Sequence, residues 1–116
     1  MLSVNERLRK GEQLTNRNGR FRAVMQDDGN FVLYAGQNKQ LWSSDTLDAG
    51  DSVWLTEDGD LRIVDSKAKT LFASNTQNQG NLLVCKDNGN LVLLNSDGVI
   101  TWSTFTAQSK SSLISS

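Results

Sequence analysis

A threefold internal repeat constrains this chain more than any other feature of its sequence. Glycines that follow Asp or Asn recur every 30 residues, and so do large aromatic residues. The glycines are Gly29, Gly59 and Gly89, and the aromatics are Trp42, Phe72 and Trp102. The three copies, around 21–50, 51–80 and 81–110, align without a gap. A period of this length predicts three similar supersecondary units packed together.

Each copy has the pattern of short β-strands. Asp28-Gly29 predicts a tight primed hairpin turn, because glycine reaches positive φ without steric cost. No window shows helical periodicity, so each repeat is predicted to supply about four strands. Residues 1–20 lie outside the clearest columns, and Leu2, Leu8 and Leu14 indicate a first strand or two there.

A four-stranded antiparallel sheet cannot bury its apolar face alone. We therefore expect an all-β fold of three such sheets with pseudo-threefold symmetry and the repeated aromatics meeting near the axis. At 116 residues the chain fits a single domain over 1–116.

Composition excludes several functional classes. The net charge of −1 provides no general attraction for nucleic acid, and no apolar run is long enough to insert into a membrane. Residues 1–7 lack the apolar segment of a secretory signal, so we expect a cytoplasmic or non-classically secreted protein unless a signal has been removed. The single cysteine, Cys85, falls in an apolar column and is predicted to be buried.

The first copy gathers polar residues around its glycine turn. Alternation along a strand places Asn30, Val32 and Tyr34 on one face. Gln26 lies across the turn and Asp28 lies within it. Together these residues offer hydrogen-bond donors and acceptors beside a small apolar patch.

These five residues resemble the mannose-binding motif of the bulb-type lectins, the family of the snowdrop agglutinin. Gln26-x-Asp28-x-Asn30-x-Val32-x-Tyr34 matches all five motif positions. The resemblance covers residues 2–107, and the segment 26–32 is most similar to fish skin-mucus members of the pufflectin type. It implies a β-prism II fold and recognition of mannose or high-mannose glycans, with a role in defence or microbe recognition.

The resemblance also assigns roles to the five residues. Asp28 and Asn30 would bind O2 of mannose, Gln26 would bind O3, and Tyr34 would bind O4. Val32 would pack on the ring carbons.

The other two copies depart from the motif and are expected to be weak or inactive. The second copy reads Thr56, Asp58, Asp60, Arg62 and Val64. The third reads Lys86, Asn88, Asn90, Val92 and Leu94. In the second copy, Arg62 is expected to pair with Asp58 or Asp60.

One shallow site predicts weak binding of a monosaccharide, near ~1 mM, so useful avidity requires several chains. By resemblance, Thr101 to Ala107 would exchange between protomers and build a homodimer. An enzyme is not expected, because the chain has no histidine and no nucleophile with an evident base. No cofactor or metal is expected either. The alternative is a β-prism that binds proteins and has reduced or lost its sugar binding.

Overall fold

The computed structural model describes residues 1–108, which form twelve β-strands and no helix. The predicted C-terminal part of the single domain, 109–116, lies outside the described residues. The strands are β1 (Leu2–Ser3), β2 (Arg7–Arg9), β3 (Gln13–Thr15), β4 (Phe21–Met25), β5 (Phe31–Ala35), β6 (Lys39–Ser43), β7 (Ser52–Leu55), β8 (Leu61–Val64), β9 (Thr70–Ala73), β10 (Leu82–Cys85), β11 (Leu91–Leu94) and β12 (Ile100–Ser103). None of these residues lies in a helix that is long and apolar enough to cross a membrane.

The strands form three four-stranded antiparallel sheets, which confirms the predicted fold class. Their orders are β3-β4-β5-β6, β2-β7-β8-β9 and β1-β10-β11-β12. Each 30-residue copy therefore contributes three consecutive strands to one sheet. The prediction of four strands per copy was wrong, because the fourth strand of every sheet comes from the N-terminal segment.

A six-residue period in the N-terminal segment explains how it serves three sheets in turn. Leu2, Leu8 and Leu14 are each less than 8% exposed and pair with Leu83, Val53 and Ala23 respectively. Between them, Glu6 accepts a hydrogen bond from the Ser3 amide, and Glu12 accepts one from the Arg9 amide, each at 2.7 Å. These bonds close the two turns that carry the chain from one sheet to the next.

The repeated aromatics meet on the pseudo-threefold axis, as the sequence predicts. The rings of Trp42, Phe72 and Trp102 contact one another edge to face, with centroids 5.7–5.8 Å apart. Such pairs are favoured by the ring quadrupoles. They cap a core of buried aliphatic and aromatic side chains that includes Phe21, Phe31 and Leu33.

The glycine turns differ from the predicted primed type. Gly29 has a φ of +88°, whereas Asp28 is not among the residues with positive φ. The Gln26 amide donates to the Asn30 carbonyl at 3.0 Å, and the Gly29 amide donates to the Gln26 carbonyl at 3.0 Å. This is the pattern of a three-residue hairpin loop that ends in a left-handed residue.

Cys85 is 5% exposed, as its apolar column predicts. Burial raises the pKa of its thiol to about 11. The thiol is therefore protonated and unreactive at neutral pH.

Candidate functional site

The five motif residues of the first copy lie together on the sheet β3-β4-β5-β6. Gln26 follows β4, Asp28 lies in the loop, Asn30 precedes β5, and Val32 and Tyr34 lie within β5. Asp28 is exposed, while Gln26, Asn30 and Tyr34 are half-buried. The hairpin thus brings four polar side chains to one end of a single sheet face.

A chain of hydrogen bonds links these polar residues. Because a carboxylate can only accept, the Gln26 amide is oriented with Nε2 toward Asp28, 3.1 Å from both carboxylate oxygens. Gln26 Oε1 then accepts from the Tyr34 hydroxyl. Asp28 Oδ1 also accepts from the backbone amide of Asn30 at 3.0 Å. The network holds the site in one arrangement and leaves lone pairs on Asp28 and Tyr34.

Asn30 is oriented by two residues that the site prediction did not include. Its Oδ1 accepts from Ser44 Oγ and from the Thr46 amide, each at 3.2 Å. Thr46 Oγ1 in turn donates to the Gly29 carbonyl at 2.8 Å. Asn30 Nδ2 donates to no group within residues 1–108, so it remains available to a ligand. The sequence signal for this contact is the recurrence of a hydroxyl residue two and four positions after each repeated aromatic: Ser44, Ser74 and Thr104, then Thr46, Thr76 and Thr106.

Val32 lies deeper than the motif led us to expect. Its side chain is on the site face, opposite Val24 on β4 and Ser43 on β6, but the residue is only 1% exposed. It forms the floor of the site rather than an exposed apolar patch. The reason is that β5 is a central strand, so the side chains of its cross-strand neighbours Val24 and Ser43 flank Val32 on both sides.

Arg22 borders the site at its Tyr34 end and was not predicted. Arg22 and Tyr34 are paired across β4 and β5, and the guanidinium carbon lies 4.7 Å from the centroid of the tyrosine ring. Arg22 Nη2 donates to the Gln37 carbonyl at 2.6 Å. Cross-strand cation–π contacts of this kind hold the ring in place.

The second copy has replaced the ligand groups with an internal ion pair. Asp60, in the column of Asn30, has a fully buried side chain and accepts from Arg62 Nε at 2.8 Å. Its Oδ1 keeps the contacts seen in the first copy, with Ser74 Oγ at 3.0 Å and the Thr76 amide at 3.2 Å. Of the two partners expected for Arg62, the structure selects Asp60. Arg62 thus occupies the column of Val32 and satisfies the group that would otherwise face a ligand.

The pKa of Asp60 is lower than the ordinary value of 3.8. Burial alone would raise this pKa, but the hydrogen bonds from Arg62, the Thr76 amide and Ser74 outweigh burial. Because the folded-state pKa is below the unfolded value, this carboxylate stabilises the fold above about pH 4. That contribution is lost as the pH falls through the folded-state pKa.

We therefore predict a pH-dependent effect for Asp60→Asn. An asparagine in this column has one acceptor oxygen, which Ser74 and the Thr76 amide occupy. Its Nδ2 would therefore face the Arg62 donor and the ion pair would be lost, so the free energy of unfolding should fall by about 2 kcal/mol at neutral pH. Urea unfolding of the variant and of the unmodified protein, at neutral pH and near pH 3, measures the difference between their free energies of unfolding. That difference should be smaller in acid. A difference that does not change with pH would contradict the assigned role.

The third copy keeps part of the first copy's geometry. Asn90 accepts from Thr104 Oγ1 and from the Thr106 amide, each at 3.3 Å, and Asn88 accepts from the Asn90 amide at 3.0 Å. The remaining columns hold Lys86 and Leu94 in place of Gln26 and Tyr34. The hydroxyl and amide that complete the first network are therefore missing.

Among residues 1–108, no three acidic or thiol groups lie close enough together to hold a metal ion. The chemistry that the first copy offers is hydrogen bonding from one carboxylate, two amides and one phenol.

Comparison with known proteins places this architecture among lectins. The chain is 58% identical over 45 residues to the B-type lectin plumieribetin of Scorpaena plumieri, a match that spans 39% of the chain and 38% of that lectin. The snowdrop (Galanthus nivalis) mannose-specific agglutinin, solved with methyl-α-D-mannoside, superposes with a TM-score of 0.71 at 31% identity, covering 93% of this chain and 97% of the agglutinin. A Marasmius oreades lectin superposes with a TM-score of 0.85 at 28% identity, covering 90% of this chain and 89% of that lectin. No protein-family model matches the chain.

One further structure bears on assembly. A domain-swapped lectin dimer from Mycobacterium smegmatis superposes with a TM-score of 0.55 at 32% identity, covering 89% of this chain and 96% of that one.

Proposed function

The chain belongs to the bulb-type mannose-binding lectin family, with the β-prism II fold, and we propose that it binds mannose-containing glycans through the first copy alone. The hydrogen-bond network of that copy carries the proposal. It fixes Gln26, Asp28, Asn30 and Tyr34 in one arrangement before any ligand arrives, with a free donor on Asn30 and free acceptors on Asp28 and Tyr34. Binding to a preorganised site avoids part of the entropic cost of association.

The free groups match the hydroxyls of mannose in the order that the family resemblance implies. Asn30 Nδ2 donates to the axial O2, whose own hydrogen is accepted by Asp28. The second hydrogen of Gln26 Nε2 reaches O3, and the Tyr34 oxygen accepts from O4. Val32 supports this arrangement from below, because its burial keeps water out of the floor of the site.

The same arrangement predicts selectivity against glucose. Moving O2 to the equatorial position separates it from Asn30 and Asp28, which would leave polar groups unpaired at a cost of about 1–3 kcal/mol. Free mannose should therefore displace a bound glycan, and glucose should not.

The test is retention on mannan-agarose with elution by free mannose and by glucose. Tyr34→Phe should weaken retention roughly tenfold, because it removes both the acceptor for O4 and the hydroxyl that orients Gln26. The chain has a single tyrosine, so loss of its absorbance verifies the variant. Passage of the unmodified protein straight through the column would refute the proposal and favour the protein-binding alternative.

We also propose a homodimer formed by exchange of the C-terminal strand. In the single chain, β12 lies at the edge of its sheet and pairs with β11 through Val92–Ser103 and Leu93–Trp102. A partner's β12 can make the same contacts, and the domain-swapped neighbour supports this assembly. Two chains would present two sites and raise the avidity for branched glycans. Size-exclusion chromatography with light scattering should give a dimer; a monomer at high concentration would contradict the proposal.

A further inference from the structure

Positive charge is concentrated at one end of the sheet that carries the proposed mannose site. The strands and loops of its sheet, 13–26 and 29–44, contain no Asp or Glu. They contain four cationic residues, Arg17, Arg20, Arg22 and Lys39. The acidic residues of the same hairpin, Asp27 and Asp28, lie in the loop at the opposite end of β4 and β5. The sheet therefore has an anionic loop at one end and a cationic region at the other.

Arg22 is the cation that directly adjoins the site. Its guanidinium is held against the Tyr34 ring at 4.7 Å and is anchored by one nitrogen to the Gln37 carbonyl. In the described part of the chain the ion pair found is that of Arg62 with Asp60, so Arg22 has no carboxylate partner there. Its remaining nitrogens are fixed in position and are not neutralised.

The acidic groups near this region do not reach Arg22. Asp87, from the neighbouring sheet, accepts from the Arg17 amide at 3.4 Å and from Asn16 Nδ2 at 3.0 Å. Asp28 is engaged with Gln26 and Asn30. Arg20 is directed over the Phe21 ring, 5.5 Å from its centroid. The field at the Tyr34 end is therefore set by cations.

The cation and the tyrosine occur together only in the first copy. The cross-strand pair Arg22–Tyr34 corresponds to Ser52–Val64 in the second sheet and to Leu82–Leu94 in the third. The fold does not need a cation at this position. Its presence beside the one intact motif points to a ligand at that site.

We propose that Arg22 forms a subsite for a phosphate group carried on C6 of the bound mannose. The inference rests on the proposed mannose site, in which Tyr34 faces O4. On the sugar ring, C5 and its C6 substituent follow C4, so a substituent on C6 leaves the site beyond Tyr34, where Arg22 lies. A guanidinium binds phosphate through charge-assisted and often bidentate hydrogen bonds. The subsite selects phosphomannosyl glycans over neutral ones.

Titration calorimetry of the whole protein with mannose and with mannose 6-phosphate tests the subsite. Mannose 6-phosphate should bind about fivefold more tightly at low salt, an advantage that decreases as salt screens the partly exposed charge. Arg22→Gln should bring the ratio of the two affinities close to one. Lys69→Gln removes one positive charge from the second sheet, in the column of Lys39, and should leave the ratio unchanged.

Two further ligands separate the sources of any phosphate effect. Glucose 6-phosphate and inorganic phosphate should both bind more weakly than mannose 6-phosphate, because the phosphate contact adds to mannose recognition and does not replace it. Equal binding of glucose 6-phosphate and mannose 6-phosphate would overturn the subsite. Equal affinities for mannose and mannose 6-phosphate would also overturn the subsite, but that result would leave the proposed lectin function intact. Failure of both mannose ligands to bind would overturn the lectin function itself.

Discussion

Asn30→Asp should abolish mannose binding and leave the protein folded. The substitution replaces Nδ2, the only donor that the network leaves free for O2, with a second acceptor oxygen. That oxygen would face the O2 hydroxyl beside the Asp28 carboxylate. The loss of the neutral amide donor and the added repulsion between the two carboxylates should weaken binding by more than about tenfold. Because the unmodified site is expected to bind near ~1 mM, binding by the variant would be too weak to detect. Retention on mannan-agarose measures the loss.

The second copy shows why the variant should still fold. Asp60 occupies the corresponding column and accepts from Ser74 and the Thr76 amide as Asn30 does from Ser44 and the Thr46 amide. Its second oxygen is paired with Arg62 and with Gln77 Nε2 at 3.3 Å. The columns of those two partners hold Val32 and Leu47 in the first copy. The new carboxylate would lack a cation, which should lower the free energy of unfolding by about 1 kcal/mol.

Asn90→Asp is the matched control. Asn90 makes the same contacts in the third copy, with Thr104 and the Thr106 amide, so this variant introduces the same charge into the same local structure. It should leave retention on mannan unchanged, because Lys86 and Leu94 stand in the columns of Gln26 and Tyr34 and we expect no binding by this copy. Equal loss of binding in both variants would show that the effect is structural and would contradict the assignment of O2 to Asn30.

The repeat allowed the architecture to be predicted because each copy carries its own turn, core pair and axial aromatic. The rings of Trp42, Phe72 and Trp102 could be placed on the axis from their spacing alone. The N-terminal strands were harder to predict, since β1, β2 and β3 contain only two or three residues each. Segments that short have no periodicity of their own, and only their pairing with β10, β7 and β4 defines them.

The sequence predicted the position of the candidate site but not the contacts that surround it. The five motif residues share one face of the hairpin, as alternation along the strand predicts, although the glycine turn is a three-residue loop rather than the predicted primed turn. The contacts of Ser44 and Thr46 with Asn30 depend on β6 returning beside β5, and the stacking of Arg22 on Tyr34 depends on cross-strand register. The burial of Val32 depends on the flanking strands. None of these follows from the residues of the motif alone.

Gly80→Ala should cause a large loss of stability, because the added methyl group has no room. A Cβ at this position would lie 2.0 Å from the Gly59 carbonyl oxygen and 2.9 Å from Leu93 Cδ2. The same carbonyl accepts from Thr76 Oγ1 at 2.9 Å, so the loop cannot move away without breaking that bond. We expect the free energy of unfolding to fall by about 3 kcal/mol, as measured by urea denaturation.

Gly50→Ala makes the equivalent change beneath the intact site and separates stability from binding. Its Cβ would lie 2.1 Å from the Gly29 carbonyl oxygen, between Asp28 and Asn30 in the chain. Both variants should therefore lose similar stability, but only Gly50→Ala should also weaken mannose binding in the folded protein. Gly98→Ala is the control: its φ is +79° with no atom within 4 Å, so strain alone should cost about 1 kcal/mol. If Gly98→Ala cost as much as Gly80→Ala, backbone conformation rather than close packing of the paired loops would be the cause.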